Sequence, residues 1–159
     1  MSALGQKLTD ASQELLPEKN ADFKDRHILL VEDNELNAEI LKSMLELAGA
    51  VCRIYPNGRA IAKAFDEIAP ENCDLVLMDI QMPEMNGYDA ARAIRSSKNP
   101  YGRTVPIIAM TANAFSDDVQ RSIAAGMNAH LSKPVNLDAL ERAIIRIRST
   151  PPRNGSSFQ

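Results

Sequence analysis

Acidic side chains stand at the ends of two apolar runs in this sequence. Glu32 and Asp33 directly follow the run 28–31, and Asp79 follows the run 75–78. Clustered carboxylates repel one another and raise each other's proton affinity unless a cation lies among them. Oxygen ligands without histidine or cysteine favour magnesium over zinc. If the three acids meet, they predict a magnesium site in which one carboxylate can attack phosphorus as a nucleophile.

Two further polar residues stand at comparable places later in the chain. Thr111 follows the apolar run 105–110, and Lys133 with Pro134 follows the short run 128–131. Taken singly, such residues are more often caps, turn residues or solvated side chains. Beside a carboxylate, however, an ammonium and a hydroxyl can neutralise and hydrogen-bond the oxygens of a transferred phosphoryl group. The order of these polar residues after successive apolar runs favours the functional interpretation.

The stretches between these polar positions alternate between strand and helix patterns. Short apolar runs rich in β-branched residues predict strands buried on both faces. Apolar residues at helical spacing predict the intervening helices, as where Leu36, Ile40, Met44 and Leu47 recur at spacings of four, four and three. The predicted strands are 28–31, 51–55, 75–78, 105–110 and 128–131, and a predicted helix follows each of them.

This alternation predicts an α/β fold with a parallel sheet, helices on both faces and right-handed crossovers. In an open sheet of this kind, ligands bind beyond the carboxyl ends of the strands, where the strand order reverses. If the order is 2-1-3-4-5, the first and third strands are neighbours. The acids that follow them then converge into one pocket, flanked by a hydroxyl and an ammonium.

Length and composition predict one domain of ordinary size. The chain has 159 residues, of which 45% are hydrophobic, enough to build one core. We expect a flexible leader or interdomain linker over residues 1–25, because this stretch is polar and mixed in charge. The globular domain is predicted over 26–148, and a disordered tail over 149–159.

Charge and hydropathy argue against two classes of partner. A net charge of -3 gives no basic field for binding a phosphate backbone, so no direct contact with nucleic acid is expected. No apolar run approaches the about 20 residues of a spanning helix, and the amino terminus lacks the regions of a secretory signal. We therefore expect no membrane contact by this segment and a cytoplasmic location.

The motifs around these residues resemble the receiver domain of two-component response regulators, most of all the receivers attached to hybrid sensor histidine kinases. The resemblance covers residues 27–148 and rests on ILLVEDNELN, LVLMDIQMPEMNGYDAARAIR, PIIAMTANA and GMNAHLSKP, which occur in register. It implies a doubly wound, flavodoxin-like sheet of five parallel strands in the order 2-1-3-4-5. It also implies a phosphoacceptor function in a two-component phosphorelay.

The resemblance implies a phosphoacceptor and a set of magnesium ligands. Asp79 corresponds to the residue that takes the phosphoryl group. Asp33, Asp79 and the main-chain oxygen of Gln81 correspond to direct ligands of Mg2+. Glu32 corresponds to an acid that reaches the metal through a water molecule.

It further implies residues that sense the phosphoryl group. Thr111 corresponds to the sensing hydroxyl and Lys133 to the phosphate-pairing lysine, and the bond between Lys133 and Pro134 is expected to be cis. His130 stands where the family frequently has an aromatic switch residue. We expect Thr111 to move toward the phosphoryl group and His130 to swing into the space released. The alternative is a partly exposed ring without that role.

The expected partner is a histidine kinase or a histidine phosphotransfer protein, and the resemblance also allows a homodimer. As an enzyme, the domain would catalyse only its own phosphorylation and slow dephosphorylation, with no external metabolite as substrate. One alternative is a phosphatase of the haloacid dehalogenase class, which needs a second Asp where this chain has Gln81. The other is a receiver-like binding module without phosphorylation, which predicts loss of acidic residues, and none is lost.

Overall fold

The computed structural model describes residues 23–112 and 116–149, apart from the side chains of 116–118 and 149. Helices and strands alternate along these ranges, with two short 3-10 turns at Pro70–Asn72 and Pro100–Arg103. Within them, none of the helices has the length and apolar character needed to cross a membrane. The elements are β1 His27–Val31, α1 Glu35–Leu47, β2 Val51–Tyr55, α2 Gly58–Phe65, β3 Leu75–Asp79, α3 Gly87–Arg95, β4 Ile107–Thr111, α4 Ser116–Ala124, β5 Ala129–Ser132 and α5 Leu137–Ser149.

All five strands are parallel and lie in the order β2-β1-β3-β4-β5. The predicted doubly wound fold is therefore confirmed. The central strands β3 and β4 are buried along their whole length, as expected for apolar strands covered on both faces. The strand β4 begins two residues later than predicted. The reason is that the main-chain N–H of Val105 still bonds to the main-chain oxygen of Tyr101 (3.0 Å), which extends the preceding turn.

Two apolar cores lie on the two faces of the sheet. Successive side chains of a strand point to opposite faces, so Leu30 and Leu77 join the core beneath α1 and α5. Val31 and Met78 join the other core, beneath α2 and α3. The loop that follows α4 also contributes to this second core, through Met127. The two layers of helices therefore cover both faces of the sheet.

The apolar periodicity that predicts α1 lies mainly on the solvent side of that helix. Leu36 is 69% exposed, Ile40 52% and Leu47 90%, whereas the inward face carries Ala38, Leu41 and Leu45. The helix has two apolar stripes, and sequence spacing alone does not decide which of them faces the sheet. We call Leu36, Ile40 and Leu47 the exposed α1 stripe.

The folded part of the chain begins before residue 26, which is the start of the domain predicted from the sequence. Phe23 is 1% exposed and belongs to the core beneath α1 and α5. The main-chain N–H of Asp25 donates to the main-chain oxygen of Gly49 (2.8 Å). At the other end, the helix α5 includes Ser149. Residues 1–22 and 150–159, where the rest of the leader and of the tail are predicted, lie outside the described residues.

Alanine substitutions on the two sides of α1 test which side stabilises the fold. Leu45→Ala is expected to lower the free energy of unfolding by roughly 2 to 5 kcal/mol, because it leaves a cavity between α1 and the sheet. Leu47→Ala removes an exposed side chain and should change the free energy by less than about 0.5 kcal/mol. Urea unfolding followed by circular dichroism measures both, and equal losses would contradict the assignment of the two faces.

Candidate phosphoryl-transfer site

The strand order brings the polar residues predicted from the sequence to one edge of the sheet. β1 and β3 are neighbours, so Glu32 and Asp33 at the end of β1 lie beside Asp79 at the end of β3. β4 ends in Thr111, next to β3, and Lys133 follows β5, next to β4. Parallel strands place all these carboxyl ends on the same side, where an open α/β sheet binds its ligands.

Three carboxylates form an acidic pocket at this edge. Glu32, Asp33 and Asp79 each offer an oxygen, and these oxygens all lie within 4.8 Å of one another. Glu32 is 4% exposed and Asp79 2%, while Asp33 is exposed and leaves the pocket open on its side. An all-oxygen set that combines protein carboxylates with an open side fits a hard divalent cation that keeps several waters.

Lys133 supplies a positive charge to the acidic pocket. Its Nζ lies 3.1 Å from Oε1 of Glu32 and 3.4 Å from Oδ1 of Asp79. The main chain of Lys133 is held in place, because its N–H donates to the main-chain oxygen of Thr111 (2.8 Å). The peptide bond between Lys133 and Pro134 is cis, as the family resemblance implies. The ammonium thus approaches the acids from the β4 and β5 side of the sheet.

The electrostatics of the pocket disfavour an ionised Asp79. Burial, together with the charge of Glu32, raises the pKa of Asp79 from 3.8 to about 7, although Lys133 opposes this rise. Burial by itself would lower the pKa of Lys133, but the carboxylates of Asp79 and Glu32 outweigh it and raise that pKa. Asp79 therefore exchanges its proton near neutral pH, while the lysine stays charged.

Main-chain donors hold the two buried acids in place. The N–H of Asn34 donates to Oε2 of Glu32 (3.1 Å), and the N–H of Gln81 donates to Oδ1 of Asp79 (3.3 Å). The side chain of Asn34 in turn caps α1 by accepting from the N–H of Asn37 (2.8 Å). The first turn of α1 and the segment that carries Glu32 are therefore fixed to one another.

Gly87 is part of the site and was missed in the sequence. A Cβ at this position would overlap the main-chain oxygen of Asp79 and lie 2.9 Å from Cα of Ile80. The N–H of Gly87 donates to the main-chain oxygen of Ile80 (2.9 Å), so the start of α3 packs directly against the end of β3. The available signal was a glycine at the first position of a predicted helix, where a better helix former is usual.

The remaining predicted site residues lie around the acidic pocket. Thr111 is buried opposite Ser132, and His130 is half-buried opposite Ala109. Paired residues of parallel strands share a face, so Thr111 and His130 point to the same side of the sheet, on neighbouring strands. Gln81 lies exposed in the turn after β3. The switch roles of Thr111 and His130 and the ligand role of Gln81 remain predictions.

The chain matches the family model of the response regulator receiver domain over residues 28–145. It is 37% identical to "Probable histidine kinase 1" of Oryza sativa subsp. indica over 74% of its own length. It spans 15% of the length of that kinase. The match thus covers a receiver region within a much longer relative.

Two solved structures resemble the chain in both fold and sequence. The receiver domain of sensor histidine kinase PA1611 from Pseudomonas aeruginosa PAO1, with a magnesium ion coordinated in its active-site cleft, is 38% identical with a TM-score of 0.68. That match covers 79% of this chain and 99% of the other. The co-crystal of the Saccharomyces cerevisiae histidine phosphotransfer protein Ypd1 with the Ssk1 receiver domain contains a chain that is 32% identical to this one, with a TM-score of 0.67. That match covers 77% of this chain and 88% of the other.

Replacing Asp79 by Asn is expected to stabilise the metal-free protein above pH 7. Between pH 3.8 and about 7 the folded protein holds a proton on Asp79 that the unfolded chain has released. The free energy of unfolding therefore falls as the pH rises through this window and stays low above it. Because Asn cannot ionise, the free energy of unfolding of Asp79→Asn should not fall in this window. At pH 8 it should exceed that of the wild type by about 1 to 3 kcal/mol.

Urea unfolding in EDTA buffers from pH 4.5 to pH 8 measures this difference. The matched control is Glu71→Gln, which neutralises an exposed acid in a 3-10 turn away from the pocket. The control should follow the wild type at every pH. A constant difference between Asp79→Asn and the wild type across this range would show that Asp79 is not protonated in the folded protein.

Proposed function

Because the chain belongs to the response regulator receiver family, we propose that Asp79 accepts a phosphoryl group from a phosphohistidine on a partner protein. The observation that carries this proposal is the convergence of Glu32, Asp33 and Lys133 on a carboxylate that is almost fully buried. An aspartate that only capped a helix or turn would need none of these neighbours. The domain is thus a receiver of a two-component phosphorelay.

Magnesium is the cation that this pocket fits. We assign Asp33, Asp79 and the main-chain oxygen of Gln81 as ligands, with Glu32 acting through a water molecule. The donor atoms are all oxygen, and the acids lie close enough to share one ion. When bound, magnesium supplies positive charge that counters the phosphoryl oxygens. The magnesium in the similar PA1611 receiver supports this assignment.

The transfer itself is a displacement at phosphorus. Asp79 must first be ionised, and then a bond forms between its carboxylate oxygen and phosphorus while the bond from phosphorus to the imidazole nitrogen breaks. The electron pair of the broken bond stays on the imidazole ring, which leaves neutral because its other nitrogen carries a proton. Lys133, already 3.4 Å from Asp79, is placed to pair with the phosphoryl oxygens as their charge shifts.

The switch after phosphorylation involves Thr111 and His130. These residues point to one face of the sheet, and His130 lies two positions before Ser132, the partner of Thr111. Diagonal neighbours of this kind are close enough for one side chain to fill space that the other vacates. A shift of Thr111 toward the phosphoryl group would therefore change the position of the ring of His130 and the surface near α4.

The two alternative functions have less support. Gln81 stands where a haloacid dehalogenase-type phosphatase needs its acid and base, and an amide side chain cannot exchange a proton in that role. A binding module without phosphorylation has no need of two buried acids and a half-buried lysine at one point. Such a cluster is costly unless a ligand compensates it.

Intact-mass measurement after incubation with acetyl phosphate tests the phosphoacceptor. The wild type is expected to gain one phosphoryl group when magnesium is present and none in EDTA. Asp79→Asn should gain none, because it lacks the nucleophile. Asp89→Asn, which neutralises an exposed acid on α3, is the control and should be labelled like the wild type. A stable adduct on Asp79→Asn would remove Asp79 from this role.

We propose the exposed α1 stripe as the docking surface for a histidine phosphotransfer protein. A phosphohistidine must approach Asp79 over the carboxyl edge, and α1 begins at this edge, two residues after Asp33. Leu36 and Ile40 are exposed in the first turns of the helix, and Leu47 extends the stripe along it. Exposed apolar surface on a rigid element beside a charged pocket is typical of a protein contact. The co-crystal of a similar receiver with Ypd1 supports this kind of partner.

Replacing both Leu36 and Ile40 by Ser is expected to slow phosphorylation by a protein donor but not by the small donor acetyl phosphate. Labelling by acetyl phosphate should stay within about twofold of the wild type, because the acidic pocket is untouched. Transfer from phosphorylated Ypd1 should slow by roughly tenfold, because apolar anchors of the docked complex are lost. Val51→Thr, an exposed position at the opposite edge, is the control. Equal slowing with both donors would contradict the docking surface.

A further inference from the structure

Arg95 ends α3 at the edge of the sheet opposite the acidic pocket, and the phosphoryl-transfer site does not use it. Its Nε and Nη2 donate to the main-chain oxygen of Gly126 (2.9 and 2.7 Å). Its Nη1 donates to the main-chain oxygens of Gly102 (2.9 Å) and Val105 (2.7 Å). Nη2 also donates to Oδ1 of Asn128 (2.9 Å). One guanidinium thus joins α3 to the segments that precede β4 and β5.

Two glycines allow the close packing around this guanidinium, and one of them, Gly126, lies directly against Arg95. Gly126 has a φ of +93°, and a Cβ there would lie 3.0 Å from Cγ and 3.1 Å from Nε of Arg95. At Gly102, a Cβ would overlap the main-chain oxygen of Ile94 and push the 3-10 turn away from α3. Burial lowers the pKa of Arg95 to about 10, so the group stays charged at neutral pH. Its hydrogen bonds compensate the loss of water.

Asn128 links this guanidinium to the sheet. Its Oδ1 accepts a second hydrogen bond from the main-chain N–H of Ile107 (2.8 Å). Its own N–H donates to the main-chain oxygen of Ile107 (2.7 Å). These contacts stand immediately before the first paired residues of the two strands, Ile108 and Ala129. We call this arrangement the Arg95–Asn128 clamp.

The packing of β5 by itself specifies its register weakly. The strand has four residues and is an outer strand of the sheet, and Leu131 is its one buried member. Register is well determined only where the hydrophobic pattern distinguishes the two faces along the strand. A slip by one residue would turn every side chain of β5 to the other face and move the chain along by about 3.3 Å.

The register of β5 decides where Lys133 lies. Pairing continues from the clamp to Thr111 and Ser132, and the N–H of Lys133 then donates to the oxygen of Thr111. From this position Nζ reaches both Glu32 and Asp79. We propose that the Arg95–Asn128 clamp positions Lys133 in the acidic pocket by fixing the register of β5 on β4 from the opposite edge of the sheet.

This proposal rests on the proposed function, because Lys133 matters as the residue that pairs with the phosphoryl group. The stability of the pairing between β5 and β4 can nevertheless be measured without phosphorylation. The main-chain N–H of Lys133 reports on β5, and the N–H of Glu32, which bonds to Tyr55 at the other side of the sheet, serves as the internal reference. Amide hydrogen exchange in metal-free buffer compares the two.

Asn128→Ala removes the acceptor that joins the clamp to β4, and Asn128→Asp keeps it. In Asn128→Ala, exchange at Lys133 is expected to accelerate by about tenfold relative to Glu32, because β5 opens locally. Affinity for beryllofluoride with magnesium, followed by 19F NMR, should weaken by roughly tenfold as the contact from Lys133 is lost. Asn128→Asp should stay within about twofold of the wild type in both measurements.

Two further variants keep the outcome decisive. Arg95→Lys retains a cation but cannot reach four acceptors at once, so it should reproduce the local acceleration at Lys133 even if Asn128→Ala fails to fold. Ile61→Val, a buried position on α2, controls for a general loss of stability and should affect both amides equally. If Asn128→Ala or Arg95→Lys accelerates amide exchange at Lys133 and Glu32 equally, the proposed role of the clamp is overturned. Failure of the wild type to bind beryllofluoride would instead overturn the proposed function.

Discussion

The burial of an aspartate beside a second buried acid is the unfavourable interaction on which the rest of the arrangement depends. Asp79 and Glu32 have almost no contact with solvent, and a third carboxylate lies within reach of both. In water these groups would ionise independently, but here burial, together with the charge of Glu32, raises the pKa of Asp79 to about 7. The pocket therefore favours any positive charge that enters it. A site of this kind stabilises a bound dication and a reacting phosphoryl group more than it stabilises its own empty state.

Keeping such a pocket assembled requires that several distant segments meet within a few ångströms. The parallel arrangement of the strands brings most of these segments together, because the carboxyl ends of β1, β3, β4 and β5 lie at one edge of the sheet. Finer placement comes from close contacts, because Gly87 lets α3 pack against the end of β3 and Asn34 joins Glu32 to the start of α1. The lysine follows β5, which is the shortest strand and an outer strand of the sheet. Its position is therefore the part of the site that most needs support from elsewhere in the fold.

The α/β class of the fold and the polar residues at the strand ends could be predicted from short-range sequence patterns, whereas the strand order that brings those residues together was implied by the family resemblance. Apolar runs ending in polar residues determine which side chains reach the edge, and alternation with helices restricts the topology. The orientation of α1 could not be predicted in this way, since two apolar stripes compete and only tertiary packing selects between them. The same is true of Phe23, whose burial depends on contacts with residues far along the chain. Arg95 gave no signal either, because an arginine at the end of a helix is usually solvated.

The net charge of the pocket also bears on the proposed docking surface, which is apolar. Three acids and one lysine leave an excess of negative charge, and every phosphoryl donor is itself negative. Electrostatic attraction therefore cannot bring a donor to Asp79 unless a dication is already present. Apolar contact is independent of this charge, so a stripe on α1 can hold a partner at the edge whether the pocket is repulsive or neutralised. If the proposed docking surface and phosphoacceptor are both correct, docking is separate from chemistry, and small donors and protein donors would reach the same carboxylate by different routes.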